Sequence, residues 1–371
     1  MLIGDVTFFG SNDLALAALS ILICLAILLT KNRIPRLSGR SRDLHSVQST
    51  HTRRIPRVGG IAIFGAFGLS LLFAPERIAG RYSDFVLATS ILFAIALLED
   101  LGFHISPRKR LLAAMVASMA VIVLLGVWIP RTAIPGLDLV LDYWIVGVPV
   151  TLLITSGISN AFNMIDGVNG LSALTAITAA LALSQISYLA QYTAMVHLAT
   201  MLAGAVLGFF LVNYPFGFIF LGDAGAYTLG FVLSWFSISI LLNASEVSPW
   251  ALLLIMFWPV ADMCLALVRR SQRKTNAMAP DRLHVHQMVM RALEICILGR
   301  ERRNIANPLT TMVLAPFVIA PALSGVMFWN QSLLAFLSVL VFSSLFTASY
   351  SVAPKLIHRF RQRSQSEVEA S

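Results

Sequence analysis

Long apolar runs alternate with short polar stretches along the whole chain. Crossing the hydrocarbon core of a membrane takes about 20 residues of helix, and several of the runs approach that length. We predict spans at about 14–30, 58–74, 84–98, 110–128, 139–157, 171–190, 193–212, 225–242, 249–268, 308–328 and 332–352. The pattern therefore predicts an all-α, polytopic integral membrane protein with about eleven transmembrane helices.

The polar stretches between the runs are too short to bury a hydrophobic core of their own. We therefore expect residues 1–352 to form a single transmembrane domain, followed by a basic cytoplasmic tail at 353–371. The composition agrees with this, because 57% of the 371 residues are hydrophobic and only 12% are charged.

The positive charges are distributed unevenly among the loops. Of the 27 Lys and Arg residues, 24 fall in the loops 31–57, 99–110 and 269–307 and in the tail, and only Arg77, Arg81 and Arg131 fall on the other side. Lys and Arg accumulate on the cytoplasmic side of membranes, so we predict an outside N-terminus and a cytoplasmic C-terminus. This topology explains most of the net charge of +9, so we expect membrane lipid and no nucleic acid as a partner.

The unusual polar motifs fall on one predicted side of the membrane. Continuing the alternation places the loops 158–170 and 213–224 in the cytoplasm, although neither contains Lys or Arg. These two loops contain most of NAFNMIDGVNGL and FLGDAG, and the other polar clusters lie in the cytoplasmic loops found by charge. The sequence therefore predicts one shared cytoplasmic cleft.

The segment NAFNMIDGVNGL is a polar island between two apolar runs. Asn160, Asn163, Asp166 and Asn169 recur every three residues, which predicts a polar stripe on one side of a helix or tight helical turn. A carboxylate so close to a bilayer is a candidate for a functional site. The alternative is a solvated loop that uses Asn, Asp and Gly as turn residues.

Further carboxylates occur at or near predicted span ends. Glu99 and Asp100 are adjacent and resist joint ionisation unless a cation is near, and Asp223 lies between two glycines in FLGDAG. Mg²⁺ prefers a few carboxylate oxygens together with waters and substrate phosphates. Helix capping is the alternative for Asp223. Asp262, inside the ninth predicted span, suits either the floor of the cleft or a bond to backbone freed by Pro259.

One basic segment suits anion binding. Arg57 lies in HTRRIPRVGG, where paired glycines at a helix entrance allow a phosphate to approach backbone N–H groups. The alternative is that this loop only determines the topology. Arg108 and Arg110 open the fourth predicted span after the acidic pair, and the alternative for that pair is a helix end with compensating basic residues.

The loop 269–307 contains the sequence PDRLHVHQ. An HxH pair is compatible with zinc, but zinc takes three or four ligands and no Cys or further His cluster lies nearby. Alternate histidines beside Arg282 better suit hydrogen bonding to a diphosphate. An inert solvated loop is the alternative for His284 and His286.

Taken together and in order, HTRRIPRVGG, the acidic pair at 99–100, NAFNMIDGVNGL, FLGDAG and HVH resemble the motifs of the polyprenyl-phosphate N-acetylhexosamine-1-phosphate transferases of glycosyltransferase family 4. The resemblance runs from about residue 14 to residue 352. It implies a bacterial inner-membrane enzyme that transfers a sugar-1-phosphate from a UDP-N-acetylhexosamine to undecaprenyl phosphate. It further implies release of UMP, a Mg²⁺ cofactor that Mn²⁺ can replace, and a homodimer, since family members often pair.

The resemblance also implies residue roles. Asp223 would be a metal ligand, and Asp166 would lie by the metal and the diphosphate. Asp100, with Glu99, would orient or deprotonate the lipid phosphate. The residues expected to bind substrate are Asn160, Asn163, Arg57, Arg108, Arg110, Arg282, His284 and His286.

This chain departs from the family pattern at three places. Many members have Asp-Asp where Glu99 and Asp100 stand, so Asp100 is the firmer assignment. Several members have Asp where Asn169 stands, which weakens a metal role there. Some members have HxHH where this chain has HVHQ, so a third histidine is absent.

A transporter or lipid flippase with an interfacial acidic site is the rival interpretation, because intramembrane carboxylates and broken helices also mark transport sites. Those sites lie near the midplane and usually accompany inverted repeats, which this sequence does not show. A scaffold protein for a polysaccharide assembly is a third possibility, although it would not need acidic residues at membrane depth.

Overall fold

The computed structural model of the protein describes residues 10–34, 36, 55–272 and 283–369, with side chains described as far as residue 351 apart from that of Arg300. Within these residues the chain is helical and contains no β-strand. The helices are α1 (Ser11–Thr30), α2 (Gly60–Leu69), α3 (Ala79–Asp100), α4 (Pro107–Leu125), α5 (Trp144–Ile165), α6 (Leu171–Leu189), α7 (Thr193–Asn213), α8 (Gly222–Asn243), α9 (Pro249–Ile255), α10 (Phe257–Gln272), α11 (Val285–Leu293), α12 (Arg303–Met327) and α13 (Ser332–Glu369).

Every predicted apolar run coincides with helix, which confirms the all-α membrane class. In the described part of the chain, eight helices are long and apolar enough to cross a membrane, or nine if α9 and α10 form one bent span. Helix α2 is short even with the 3₁₀ turn that extends it over Ser70–Phe73. The count of eleven spans and the orientation of the termini stay predictions.

The span predicted at 249–268 is bent in the structure. Helices α9 and α10 meet at Met256 and are bent by 84° relative to each other. Only seven residues therefore continue in the first direction, and the remaining sixteen turn away. The apolar run alone does not reveal this break, because both halves are hydrophobic.

Local capping explains where α4 starts and ends. The Ser106 side chain accepts a hydrogen bond from the Lys109 backbone N–H, and Pro107 occupies the first helical turn, where a missing N–H costs little. The helix ends at Gly126, whose left-handed φ of 68° is easily adopted by glycine. These caps place the basic start of α4 beside the end of α3.

Helix α8 lies at the centre of the fold. Of its apolar membrane-spanning stretch 83% is buried inside the protein, whereas only 11% of the corresponding stretch of the peripheral helix α13 is buried. It packs on α3 and α5 and also touches α2 and α6. Its backbone closely approaches α2, because a Cβ on Gly60 would collide with the backbone of Gly225. The start of α8 is therefore held rigidly.

A second, smaller apolar cluster joins α10, α11 and α12. Phe257 and Trp258 pack there with Met288, Leu293 and Leu314. This cluster packs α11, which begins within the HVH segment at Val285, mainly against α12. The fold therefore supports the predicted cleft from two separate packed regions.

Candidate active site

Two of the sequence motifs pair through their backbones. The Phe220 N–H donates to the Pro56 carbonyl at 2.8 Å, and the Gly59 and Gly60 N–H groups donate to the carbonyls of Phe220 and Leu221 at 2.9 and 2.8 Å. The IPRVGG and FLGDAG segments therefore lie side by side at the start of α8. Arg57 is brought to the acidic residues in this way.

Asp100 caps α8. Its Oδ1 accepts a hydrogen bond from the Asp223 N–H at 2.9 Å, and its Oδ2 accepts one from the Ala224 N–H at 2.8 Å. The residue is 7% exposed. Both carboxylate oxygens thus satisfy N–H groups that the first turn of a helix leaves without partners. Asp100 fixes the backbone that carries Asp223.

Gly222 makes this arrangement possible. Its φ of +77° is in the left-handed region that favours glycine. A Cβ at this position would also collide with the Arg57 carbonyl oxygen and approach the Asp100 carboxylate. The glycine before Asp223 is therefore required by both the backbone conformation and the close approach of two other motifs.

Asp223 forms an ion pair with Arg110. The Arg110 guanidinium also lies over the ring of Tyr227, 5.7 Å from its centroid, in a cation–π arrangement. The Tyr227 hydroxyl donates to Asn160 Oδ1 at 3.1 Å and lies near Asn163. This chain of contacts links the start of α4, the first turns of α8 and the end of α5.

Asp166 lies directly after α5, at its C-cap. Burial in the cleft raises the pKa of its carboxyl to about 7; the nearby Arg57 opposes this shift and the charge of Asp223 adds to it. Arg57 lies near Asp100 as well. Asp166, Asp223 and Asp100 therefore share one region with Arg57 and Arg110, as the sequence predicted.

The predicted polar stripe is broken in the structure, because α5 ends at Ile165 and only Asn160 and Asn163 lie on the helix. Asn169 turns away from the acidic residues. Its N–H donates to Asn307 Oδ1 at 2.7 Å, and its side-chain amide donates to the Pro215 carbonyl at 3.0 Å. Asn169 shapes the turn, as its departure from the family pattern indicated.

Glu99 and Arg108 lie less centrally than their neighbours. The Glu99 carboxylate accepts a hydrogen bond from the Ile105 N–H at 2.5 Å, which stabilises the turn between α3 and α4. Arg108 is exposed, and no hydrogen bond or ion pair to the described residues connects it with the acidic cluster. Asp100 and Arg110 therefore contact the start of α8, whereas their neighbours Glu99 and Arg108 do not bond to it in the described contacts.

The HVH segment reaches the cleft through Asp262 and Gly167. His284 Nδ1 lies 2.7 Å from Asp262 Oδ2. The rings of His284 and His286 stack, with 5.8 Å between their centroids. His286 lies so close to Gly167 that a Cβ there would collide with its ring. The segment therefore adjoins Asp166. Arg282 lies outside the described residues.

Burial changes the chemistry of His286. The side chain is 1% exposed, and neither ring nitrogen has a hydrogen-bond partner within the described residues. Burial lowers the pKa of His286 to about 4, with Asp262 opposing the shift and His284 adding to it. A buried imidazole without a partner is costly, so its position next to Asp166 points to a ligand.

The acidic cluster suits a magnesium ion that binds together with a phosphorylated substrate. The described residues contain no group of three or more His, Cys, Asp or Glu side chains that could hold a metal by themselves. Mg²⁺ commonly takes only one or two carboxylates and completes its shell with waters and phosphates. Asp166 and Asp223, whose charges repel each other, match that donor set.

Sequence reasoning missed Tyr227 and the capping role of Asp100. Tyr227 follows Asp223 by four residues, so the two side chains share one face of α8, which is a signal that the helix prediction could have used. The contact of Asp100 with α8 has no such signal, since 123 residues separate Asp100 from Asp223.

Carboxylates, guanidinium groups and a buried imidazole thus lie together at helix ends, and such a set of side chains suits a phosphorylated ligand. Residues 83–241 match the sequence model of glycosyl transferase family 4. This region includes Asp100, Asp166 and Asp223. Over this region the chain is similar to that family.

Several curated proteins resemble this chain in sequence. An undecaprenyl-phosphate alpha-N-acetylglucosaminyl 1-phosphate transferase of Yersinia pestis is 24% identical over 86% of this chain and 88% of its own length. A protein of the same name from Salmonella typhi is 27% identical, and a probable undecaprenyl-phosphate N-acetylglucosaminyl 1-phosphate transferase of Bacillus subtilis is 26% identical, each over 67% of this chain and 69% of its own.

Proposed function

We propose that the protein transfers an N-acetylhexosamine-1-phosphate from a UDP-sugar to undecaprenyl phosphate and releases UMP. This reaction would start a lipid-linked polysaccharide of the cell envelope at the cytoplasmic face of the bacterial inner membrane. The observation that carries the proposal is the convergence of Asp166 and Asp223 with Arg57 and Arg110 at the start of the buried helix α8. The related transferases support the lipid acceptor.

The proposed reaction is a phosphoryl transfer. An oxygen of the lipid phosphate attacks the β-phosphorus of the UDP-sugar, the bond between this phosphorus and the bridging oxygen breaks, and UMP leaves with that oxygen. Such reactions depend on in-line positioning and on neutralisation of negative charge more than on covalent catalysis. The site supplies both through residues fixed on helix ends.

The cationic side chains would bind the diphosphate. Arg110 is held by Asp223 and by the Tyr227 ring, so its guanidinium is oriented before substrate arrives. Arg57 lies on the opposite motif and faces the same carboxylates. Asn160 and Asn163, connected through Tyr227, would shape the nucleotide side of the cleft.

Asp166 and Asp223 would hold Mg²⁺ between them and the substrate phosphates. When bound, the ion would neutralise charge on the diphosphate and on the leaving UMP. Asp223 now pairs with Arg110, and binding of substrate would redistribute these charges within the cleft.

Asp100 fits a supporting role better than the role of a base. Both of its oxygens already accept backbone N–H bonds from the first turn of α8. The backbone of α8 therefore engages both oxygens before a substrate arrives. We therefore assign Asp100 to holding Asp223 in place, while orientation of the lipid phosphate falls to the cationic residues.

The membrane location matches the two substrates. The tail of undecaprenyl phosphate stays in lipid, whereas its phosphate must meet a water-soluble nucleotide. Asp166 directly follows α5 and Asp223 lies in the first turn of α8, and such positions at helix ends would be accessible to both substrates. The transporter alternative finds no support in the related proteins. Pairing of two copies stays a prediction.

A donor panel tests the proposed function. Purified protein in detergent would receive undecaprenyl phosphate, Mg²⁺ and UDP-linked GlcNAc, GalNAc or other N-acetylated sugars in separate reactions, with UMP measured. We expect release with at least one donor, and UDP-GlcNAc is tested first because the relatives are named for N-acetylglucosaminyl transfer. No release with any donor, from protein that still binds UMP, would refute the transferase.

A further inference from the structure

Asp262 is a buried acidic residue that the proposed chemistry does not yet use. It is 1% exposed and lies in the first half of α10, shortly after the break at Met256. The 84° bend between α9 and α10 sets the direction of α10 and hence the position of this carboxylate. A buried carboxylate is costly unless polar partners compensate it, so its contacts reveal why it is retained.

Both partners of Asp262 belong to the HVH segment. Oδ2 lies 2.7 Å from His284 Nδ1, and Oδ1 accepts a hydrogen bond from the Val285 N–H at 3.2 Å. Val285 is the first residue of α11, so the carboxylate also caps this helix. An ionised carboxylate only accepts hydrogen bonds, so Nδ1 of His284 must donate.

This contact sets the chemistry of the other ring nitrogen. With Nδ1–H committed to Asp262, Nε2 of His284 is the nitrogen left for a ligand. His286 stacks against the same ring and contacts Gly167, the neighbour of Asp166. The His286 side chain is only 1% exposed, yet neither of its ring nitrogens has a hydrogen-bond partner within the described residues. The pair of imidazoles is thus aligned with the acidic cleft.

We propose that Asp262 is a positioning residue for the diphosphate of the donor nucleotide. It fixes the tautomer and orientation of His284, and through the stacked His284 ring it holds His286 beside Asp166. Asp262 itself does not touch the substrate. This assignment rests on the proposed function and adds a residue on α10 to it.

A purely structural cap would behave differently. If Asp262 only stabilised the start of α11, its loss would lower the amount of folded protein and the affinities for both substrates alike. If it acts through His284, its loss matters only while His284 is present. A double-mutant cycle separates the two roles, because residues that act as one unit give effects that do not multiply.

The experiment compares Asp262→Ala, His284→Ala and the double variant in purified full-length protein, with UMP release measured at varied UDP-GlcNAc and varied undecaprenyl phosphate. If UDP-GlcNAc is not a donor, the active sugar of the panel replaces it. We expect each single change to lower kcat/KM for the donor about 10- to 100-fold, as loss of a partner that orients a ligating histidine does. The double variant should lie within about 3-fold of His284→Ala. The KM for undecaprenyl phosphate should stay near that of the wild type.

Asp138→Ala is the matched control, because Asp138 also accepts backbone N–H bonds, from Thr132 and Ala133, in the connection between α4 and α5. It should keep full activity per folded molecule. Asp262→Asn serves if the alanine variant does not fold, since it retains an acceptor for His284 and should lose less activity.

The outcomes distinguish the role of Asp262 from the proposed transferase function. Effects that multiply in the double variant, or equal loss for donor and acceptor in an active enzyme, would overturn the role of Asp262 alone. An inactive wild type with every donor would overturn the proposed function, and the role of Asp262 would fall with it.

Discussion

The two sides of the cleft are built in different ways. The start of α8 lies inside the main helical core, and a carboxylate from α3, a glycine with positive φ and backbone bonds from residues 56–60 fix it. The HVH side lies in a smaller apolar cluster, and its described polar anchor is Asp262. The start of α8 is therefore part of the main hydrophobic core, whereas the HVH segment packs in a separate, smaller cluster.

This difference indicates a division of labour. Residues that bind a metal and the reacting phosphates need fixed positions, and burial in a close-packed core provides them. Under the proposed function the HVH segment would contact a nucleotide that enters and leaves, which suits an element with fewer anchors. Substitutions on the α8 side should therefore affect chemistry most, and those on the HVH side should affect donor binding.

The largest effect is expected for Asp223→Asn. The change keeps the size of the side chain but removes the charge that pairs with Arg110 and that would hold Mg²⁺. We expect kcat to fall about 1,000-fold, the scale of losing a main electrostatic contribution. UMP release measures the loss, and the melting temperature should change little. Near-normal turnover would remove Asp223 from the metal site.

Asp100→Asn tests whether Asp100 is a support or a base. An amide can accept only one of the two N–H bonds at the start of α8, so we expect about 100-fold lower activity and a higher Mg²⁺ requirement. Raising the pH from about 5 to about 8 ionises the lipid phosphate without a base, since the second pKa of such esters is about 6. Activity that is lost at about pH 5 and restored at about pH 8, with an unchanged Mg²⁺ requirement, would show a base instead.

The pair Arg110→Gln and Arg108→Gln distinguishes neighbours on α4. Arg110 contacts Asp223 and Tyr227, whereas Arg108 is exposed. We expect about a 100-fold loss of kcat/KM for Arg110→Gln and less than about 3-fold for Arg108→Gln, because exposed charges are screened by water and salt. Equal losses would mean that the substrate recruits Arg108 as well.

The smallest effect is expected for Tyr227→Phe. This change removes the hydrogen bond to Asn160 but keeps the ring beneath Arg110. A hydrogen bond of this kind contributes about 1 kcal/mol, so a change in donor KM of up to about 5-fold is expected. Loss of kcat with unchanged KM would place the hydroxyl at the reacting phosphates.

Much of this arrangement could be predicted from the sequence. Apolar runs predicted the helices, and the alternation of spans and loops predicted that the polar motifs lie together. The remainder depends on contacts between distant residues. Nothing local to Asp100 indicates that it caps α8, and nothing local to Asp262 indicates that it holds His284.

The bend at Met256 could not be predicted from the sequence either, because both halves of the run are apolar and hydrophobicity does not indicate a change in helix direction. The predicted stripe from Asn160 to Asn169 failed for a related reason. Three-residue spacing assumes that the helix continues, but α5 ends at Ile165, and Asn169 is held by partners from α12 and from the connection between α7 and α8.

The most direct test of the transferase follows the β-phosphorus of the donor. Wild-type protein would receive undecaprenyl phosphate, Mg²⁺ and UDP-GlcNAc, or the active donor of the panel, labelled at the β-phosphorus. Our account predicts that the label enters the lipid fraction in equal amount to the UMP released, and that Asp223→Asn abolishes both. Label that remains in soluble nucleotide while the sugar alone reaches the lipid would contradict the account.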